Sequence, residues 1–115
     1  MNVVQDLVQD VYAQLGPGRR EKAYQIALAF GLNSQGITAS TEVSNAVYYY
    51  DIHVTTAFID ILTETHVIEI KYVRKLTDIH RDQCKAYMRD KGRDGILINF
   101  GTNPPEFELL RYTKD

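Results

Sequence analysis

Apolar residues recur every three or four positions at the start of the chain, which is the period of an amphipathic helix. Gly16-Pro17-Gly18 interrupts this pattern, so the first helix is predicted over residues 2–15. A second helix is predicted from Arg19 to a glycine-assisted end between Asn33 and Gly36. The apolar positions of the first helix are Val4, Leu7, Val8, Val11 and Leu15.

Between Ile37 and Val73 the composition changes to Val, Ile, Thr and Tyr, with few helix formers. This composition predicts three successive strands, which we expect to be antiparallel. The predicted strands cover residues 37–43, 47–62 and 67–73, and the long second strand is expected to bend or break near Asp51.

After these strands, Thr77 is a typical N-cap for a third helix that should end at Lys91, before Gly92. An apolar strand is then predicted over residues 95–100, and a short edge strand over residues 106–112 follows the turn at Asn103-Pro104-Pro105. The predicted order is α-α-β-β-β-α-β(-β). It indicates an α/β or α+β protein with helices packed against a sheet.

A chain of 115 residues with 44% hydrophobic residues is long enough for one core, so we expect a single domain over residues 1–115. No apolar stretch approaches the roughly 20 residues that span a bilayer, and Asp6 and Asp10 do not fit a signal peptide. We therefore expect a soluble, intracellular protein of the cytoplasm or nucleus. The only cysteine, Cys84, cannot form an internal disulfide, and we expect it to serve packing.

The net charge of −2 is unevenly distributed along the chain. Residues 1–70 carry three bases and eight acids, whereas residues 71–95 carry eight bases and four acids. A basic segment of this kind is able to contact several phosphates, and the alternative is a solvated helix face. The residues we expect to bind nucleic acid are Arg74, Lys75, Arg81 and Lys85.

Acidic and basic residues alternate with isoleucines in the stretch from Phe58 to Lys71. If Glu64-Thr65 is a hairpin tip, residues whose numbers sum to 129 are paired, and Asp60 lies opposite Glu69. Lys71 shares the face of Glu69 because side chains alternate along a strand. The opposite, aliphatic face would consist of Ile59, Ile61, Ile68 and Ile70.

Two opposed carboxylates destabilise a hairpin unless a cation compensates them. Mg²⁺ or Mn²⁺ prefers such oxygen ligands, and it can polarise a phosphoryl oxygen while Lys71 orients water or neutralises developing charge. Hydrolysis of a phosphodiester is therefore one interpretation. The alternatives are a solvent-facing hairpin with a salt bridge between Glu69 and Lys71, and a shifted register.

Two helices offer further residues to the same cleft. His80, Gln83 and Tyr87 lie at i, i+3 and i+7 and predict a polar stripe that lines it, unless they only mark the boundary between core and solvent. Glu21 would add a ligand if the second helix packs near the hairpin, and its alternative role is to interact favourably with the helix dipole.

Five short runs carry a family resemblance when they are taken in order along the chain. They resemble the GxxExxY family of the PD-(D/E)XK nuclease superfamily over about residues 14–101. One departure is Phe58, where relatives often carry an arginine. The runs are Gly18-Arg-Arg-Glu21-Lys-Ala-Tyr24, Ile59-Asp60-Ile-Leu, Ile68-Glu69-Ile-Lys71, Ile79-His80-Arg-Asp-Gln83 and Leu97-Ile-Asn-Phe-Gly101.

The resemblance implies a restriction-endonuclease-like core, in which a central mixed sheet is flanked by helices in the order α-β-β-β-α-β. It also implies Glu21, Asp60 and Glu69 as metal ligands, Lys71 as the catalytic lysine and Gln83 at the active site. We therefore expect a Mg²⁺- or Mn²⁺-dependent nuclease that prefers DNA to RNA.

Two other functions stay open. One is a nuclease-like module that binds nucleic acid or a protein partner without cutting, and the other is a structural or regulatory interaction protein. Tyr48-Tyr49-Tyr50 is compatible with base stacking, but such residues more often pack a sheet or a subunit interface. A homo-oligomer is among the expected assemblies.

Overall fold

The computed structural model describes residues 2–114, and this part of the chain contains three helices and five strands in the predicted order. The helices are α1 (Asn2–Leu15), α2 (Glu21–Ser34) and α3 (Asp78–Lys91). The strands are β1 (Ser40–Tyr49), β2 (Ile52–Leu62), β3 (His66–Lys71), β4 (Asp94–Asn99) and β5 (Glu106–Leu110).

The five strands form one mixed sheet in the order β1-β2-β3-β4-β5. Neighbouring strands are antiparallel except for β3 and β4, which are parallel. A parallel pair requires a crossover connection, and α3 supplies it. The result is the predicted α+β architecture, and β5 lies at the sheet edge as expected.

Helices cover both faces of the sheet, and each side has its own cluster of buried residues. Helices α1 and α2 pack on one face, whereas α3 packs on the other. Gly95 lets α3 approach β4, since a Cβ at that position would lie 2.9 Å from the Cys84 sulfur. The α1–α2 side includes Val4, Val8, Tyr24, Leu28, Leu32, Ile61, Ile68, Ile70, Ile96, Ile98 and Phe100, and the α3 side includes Ile59, Val67, Cys84 and Met88.

The predicted division between the first two strands is wrong. The segment 47–62 is not one strand, because β1 continues to Tyr49 and the break expected near Asp51 is a two-residue hairpin turn. Such turns usually contain Gly or Asn to supply a positive φ, but here Tyr50 adopts φ 53°. The first strand begins at Ser40, three residues after its predicted start, and the remaining predicted element ends lie within two residues of the observed ones.

The predicted aliphatic face of the β2–β3 hairpin also needs a correction. Ile61 faces α1 and α2, whereas Ile59 packs on the α3 side with Cys84. The alternation fails between them because the β1–β2 ladder skips the pair Glu42–Asp60, and Glu42 adopts φ 51°. A local irregularity in β1 and β2 therefore lies directly beside Asp60.

Each of the three described helices has 14 residues, and none is long and apolar enough to cross a membrane. Cys84 is fully buried on the side of α3 that packs against the sheet, as its predicted packing role requires.

Candidate active site

The β2–β3 hairpin has the register predicted from its tip. Ile61 pairs with Ile68 and Leu62 pairs with Val67, so paired residue numbers sum to 129. The backbone ladder consists of these two pairs only, and the strands separate beyond them. This separation creates an opening in the sheet between β2 and β3.

Asp60 and Glu69 occupy the opening, and their side chains replace the missing backbone pairs. Glu69 Oε2 accepts a hydrogen bond from the Asp60 backbone N–H at 3.0 Å, and Asp60 Oδ2 accepts one from the Ile70 N–H at 2.8 Å. Each carboxylate therefore bonds to the backbone of the opposite strand. The pair is held at the break by reciprocal contacts.

A cleft of about 380 Å³ lies over this opening, between the sheet, the start of α2 and one side of α3. All five residues predicted to be catalytic contribute to its wall. Phe58, at the position where relatives often carry an arginine, also lines it and is 54% exposed. The lining residues are Glu21, Phe58, Asp60, Glu69, Lys71, Gln83, Ala86 and Tyr87.

Glu21 reaches the cleft because it is the first residue of α2, whose N-terminus lies beside the end of β3. Its Oε2 accepts a hydrogen bond from the Tyr72 backbone N–H at 3.0 Å. Tyr72 immediately follows Lys71, so this bond ties the helix to the strand that carries the lysine. Glu21 can be a ligand only if α2 packs near the hairpin, and this bond shows that it does.

Two tyrosine hydroxyls hold the loop that precedes Glu21. The Tyr24 hydroxyl donates to the Gly16 carbonyl at 2.7 Å and accepts from the Arg19 N–H at 3.2 Å. The Tyr72 hydroxyl accepts from the Gly18 N–H at 2.6 Å. The loop before α2 is therefore anchored to both α2 and the chain segment that follows β3.

The rings of these tyrosines are stacked in the core. Tyr24 lies 4.3 Å from Phe100 and 5.8 Å from Tyr72, measured between ring centroids, and it is fully buried. Because aromatic rings have few rotamers, this stack fixes where their hydroxyls lie. The position of Glu21 therefore depends on residues that do not line the cleft.

Lys71 points to the cleft and contacts α3. Its Nζ donates a hydrogen bond to Gln83 Oε1 at 3.1 Å. The alternative of a solvent-facing hairpin with a Glu69–Lys71 salt bridge is wrong, since Glu69 is only 4% exposed. Among residues 2–114, the side-chain ion pairs are both made by Arg81.

Two carboxyl groups of the cleft have raised pKa values. Burial, followed by the nearby charge of Asp60, raises the pKa of Glu69 to about 8. Burial also raises the pKa of Asp60, against the opposing effects of the Ile70 N–H and Lys71. A carboxyl whose pKa is raised in this way is one for which an added positive charge would be favourable.

In the part of the chain that the structure describes, no three His, Cys, Asp or Glu side chains form a group ready to hold a metal ion. Glu21, Asp60 and Glu69 line one cleft, but each uses an oxygen to accept a backbone N–H. The chemistry of the donor set nonetheless fits a hard divalent cation, because three carboxyl groups line one cleft and such oxygen ligands are those that Mg²⁺ and Mn²⁺ prefer.

Of the predicted helix stripe, Gln83 and Tyr87 line the cleft but His80 does not. His80 Nδ1 instead accepts a hydrogen bond from the Thr77 backbone N–H at 3.0 Å, which caps the start of α3. The expectation that His80 is a cleft residue is therefore corrected. The first N–H groups of a helix have no acceptor within the helix, so an acceptor side chain in the first turn bonds to them.

The predicted nucleic-acid-binding residues divide into two locations. Arg74 and Lys75 are exposed in the connection between Lys71 and α3. Arg81 and Lys85 lie about 200° around α3 from Gln83, since each is two residues away on a helix of 3.6 residues per turn. Arg81 is also bound to Glu108 through two bonds of 2.8 Å.

Asn99 is a structural residue that the sequence reading missed. It is fully buried, its Oδ1 accepts from the Val73 N–H at 2.9 Å, and its Nδ2 donates to the Val73 carbonyl and to Glu106. These bonds fix the chain just after Lys71. The available signal was an amide within the otherwise apolar run of β4.

The fold and the cleft together define an α+β protein with an acidic, lysine-containing site at a break in its mixed sheet. The chain belongs to the PD-(D/E)XK nuclease superfamily, whose family model matches residues 1–111. Members of this superfamily are generally nucleases and typically use divalent metals. Comparisons with curated proteins and with solved structures gave no match.

Proposed function

We propose that this protein is a Mg²⁺- or Mn²⁺-dependent nuclease of the GxxExxY type, which hydrolyses phosphodiester bonds in DNA. The observation that carries the proposal is the position of Glu21, Asp60, Glu69, Lys71 and Gln83 around one cleft at the opening of the sheet. These residues come from α2, β2, β3 and α3, so only the folded chain brings them together.

The three named positions of the GxxExxY pattern have connected roles, which supports this assignment. Gly18 donates its N–H to the Tyr72 hydroxyl, and Glu21 lines the cleft. The Tyr24 hydroxyl bonds to Gly16 and Arg19 and so holds the loop that precedes Glu21. The three residues of the motif therefore belong to one local arrangement, which places the Glu21 carboxylate at the cleft.

Asp60, Glu69 and Glu21 would hold the metal ion. When bound, Mg²⁺ or Mn²⁺ supplies a Lewis acid that polarises a phosphoryl oxygen and makes water more acidic. Within residues 2–114, each of these three carboxylates accepts its hydrogen bond through one oxygen. The second oxygen of each can therefore serve as a metal ligand.

Lys71 acts on the substrate side of the same cleft. Its ammonium group orients the attacking water and stabilises the negative charge that develops on the phosphoryl oxygens. Gln83 Oε1 accepts one of its N–H groups and so restricts the direction of the lysine side chain. Gln83 is a positioning residue in this scheme.

Arg74 and Lys75 contact the phosphates of the bound nucleic acid in this proposal, because they are exposed and follow Lys71 directly. Arg81 and Lys85 are on the other flank of α3 and do not take part. The preference for DNA is carried over from the family resemblance.

Cleavage of labelled DNA and RNA, single-stranded and double-stranded, in the presence of Mg²⁺ or Mn²⁺ tests the proposal. Lys71→Ala is expected to lower the cleavage rate by about 10²- to 10³-fold, which is the usual loss when a group that stabilises transition-state charge is removed. Lys85→Ala is the matched control and should retain activity, since Lys85 is exposed away from the cleft. An unchanged rate in Lys71→Ala would contradict the assignment.

The second candidate is a module that binds nucleic acid without cutting it. The observation in its favour is that the cleft carboxylates are engaged with backbone N–H groups and do not form a ready metal group in residues 2–114. Retardation of DNA at low salt, without cleavage and without Mn²⁺ binding, would favour this function over the first.

A further inference from the structure

The side chain of Phe58 is an exposed aromatic ring in the wall of the candidate active site. It is 54% exposed and lines the cleft together with Asp60 and Glu69. It belongs to neither cluster of buried residues, and the aromatic pairs found in residues 2–114 do not include it. Its partner in the β1–β2 ladder is Ser44, whose side chain is too short to cover a phenyl ring. The ring of Phe58 is therefore free to contact a ligand.

Phe58 is also close to the acids of the site. It precedes Asp60 by two residues on β2, and two residues of a strand span about 6.5 Å. A nucleotide whose phosphate is bound at Asp60 therefore lies within reach of the ring. The second aromatic residue of the cleft, Tyr87, is partly buried against the α3-side cluster, so Phe58 is the aromatic residue with the more exposed ring.

The cations near the cleft lie on one side of it. Lys71 lines the cleft, and Arg74 and Lys75 are exposed in the connection that follows β3. The strands β1 and β2 offer no cation to a phosphate, because no lysine or arginine occurs between Lys22 and Lys71. An extended single strand can direct its phosphates to one side and its bases to the other. Phosphates beside Lys71 would then leave a base beside Phe58.

The chemistry of a free phenyl ring favours an unpaired base. The ring binds a nucleobase by stacking, and this contact tolerates every base because each one has a π-face. A base in a duplex is different, because both of its faces already stack on its neighbours. It reaches a protein ring only after it has been unpaired or flipped out, which costs free energy. A stacking residue beside the acids of the site therefore favours a substrate whose bases are already unpaired.

We propose that the protein binds single-stranded DNA in the cleft, with an unpaired base stacked on Phe58 beside the phosphate at Asp60 and Glu69. Stacking selects single strands, and the cations from Lys71 onward hold the backbone without reading its sequence. The inference rests on the proposed nuclease function, which makes the cleft the place where the substrate binds. Binding and cleavage are measured separately, so a failure of the stacking contact is distinguishable from a failure of catalysis.

Fluorescence anisotropy with a short fluorescent oligothymidylate tests the stacking contact. All proteins carry Lys71→Ala and are measured with Mn²⁺, so that cleavage does not consume the strand. Phe58→Ala should weaken binding at least about fivefold, the smallest loss expected when a stacked base loses its aromatic partner, and Phe58→Trp should retain it. Tyr50→Ala is the matched control, since Tyr50 is 85% exposed at the tip of the same hairpin and does not line the cleft. No loss in Phe58→Ala, or an equal loss in Tyr50→Ala, would overturn the proposal.

An abasic strand of the same length separates stacking from every other effect of the substitution. It has no base for the ring, so Phe58→Ala should bind it as tightly as the protein with Phe58 does. An equal loss of affinity for both strands in Phe58→Ala would show that the ring does not contact a base, and would overturn the proposal. Thermal unfolding of each variant checks that the fold is retained.

Cleavage of one labelled DNA sequence, alone and annealed to its complement, tests the substrate class. The wild-type protein should cut the single strand at least about tenfold faster, because a paired base must first leave the duplex. Phe58→Ala should reduce this preference. Equal rates on the two substrates would overturn the inference but would leave the nuclease assignment in place. Base-dependent binding through Phe58 without cleavage would support the inference and contradict the nuclease assignment instead.

Discussion

The two sides of β3 differ sharply. Toward β4, backbone pairing is continuous over six residue pairs, from His66–Asp94 to Lys71–Asn99. Toward β2, it consists of two pairs. β4 is buried from Gly95 onward, whereas the β2 side opens into the polar cleft. One strand therefore belongs to a closed apolar core on one side and to the candidate active site on the other.

The difference shows how a sheet can open without leaving its backbone unsatisfied. Buried N–H groups require acceptors, and at the opening the Asp60 and Ile70 N–H groups find them in carboxylate oxygens. The same exchange places the half-buried Asp60 beside the buried Glu69. The raised pKa values of Asp60 and Glu69 reflect the free energy of that placement.

The largest effect on stability is expected on the closed side. Ile98→Ala removes a fully buried side chain from β4 and should lower the free energy of unfolding by about 3–4 kcal/mol. Urea unfolding followed by circular dichroism measures this loss. Ile79→Ala is the control, because Ile79 is 70% exposed and should change stability by less than about 0.5 kcal/mol. A similar loss in both variants would contradict the contrast.

On the open side, we expect a substitution at Glu69 to raise the free energy of unfolding rather than lower it. Glu69 holds its proton more tightly in the folded protein, because burial raises its pKa from 4.5 to about 8. Its contribution to stability therefore falls as pH rises between these values. In metal-free solution at pH 8, Glu69→Gln should raise the free energy of unfolding by about 2 kcal/mol, a value reduced for its coupling to Asp60.

The gain from Glu69→Gln should vanish near pH 4, where the native carboxyl is already neutral when folded. Urea unfolding at the two pH values, with a chelator present, measures it. Glu64→Gln serves as the control, since Glu64 is exposed at the hairpin tip and should show no such gain. A lower free energy of unfolding for Glu69→Gln at pH 8 would contradict this prediction, because it would show that the ionised Glu69 does not destabilise the fold.

A smaller effect is expected at the tyrosines that hold the loop before Glu21. Tyr24→Phe keeps the ring stack and removes the hydroxyl bonds to Gly16 and Arg19, so it should lower stability by about 1–2 kcal/mol. If the loop positions Glu21, cleavage should also slow while DNA affinity is retained. A loss of stability without any change in cleavage rate would limit Tyr24 to a structural role.

Local signals were sufficient for much of the fold and for the candidate site. The periodic apolar residues of α1 and the cap at Thr77 predicted helix ends that the structure confirms. The tip at Glu64-Thr65 predicted the hairpin register, because a tight turn determines which residues are opposed. These features depend on residues that are close in sequence.

Other features depend on long-range contacts that a pattern does not contain. The break expected near Asp51 was not identified as a two-residue hairpin turn, because Tyr50-Asp51 lacks the glycine or asparagine typical of its backbone geometry. The face of Ile59 was assigned incorrectly because an irregularity at Glu42 breaks the alternation across the sheet. The bonds between Arg81 and Glu108 were not predicted, because the two residues lie 27 positions apart in the sequence.

Calorimetric titration with Mn²⁺ tests the central claim, that the opening between β2 and β3 is a metal-dependent site. We predict saturable binding to the wild-type protein, weakened at least about tenfold by Asp60→Asn through loss of a charged ligand. Asp10→Asn, an exposed change of the same chemistry on α1, should bind as the wild type does. No binding, or equal affinity in Asp60→Asn and the wild type, would contradict the account.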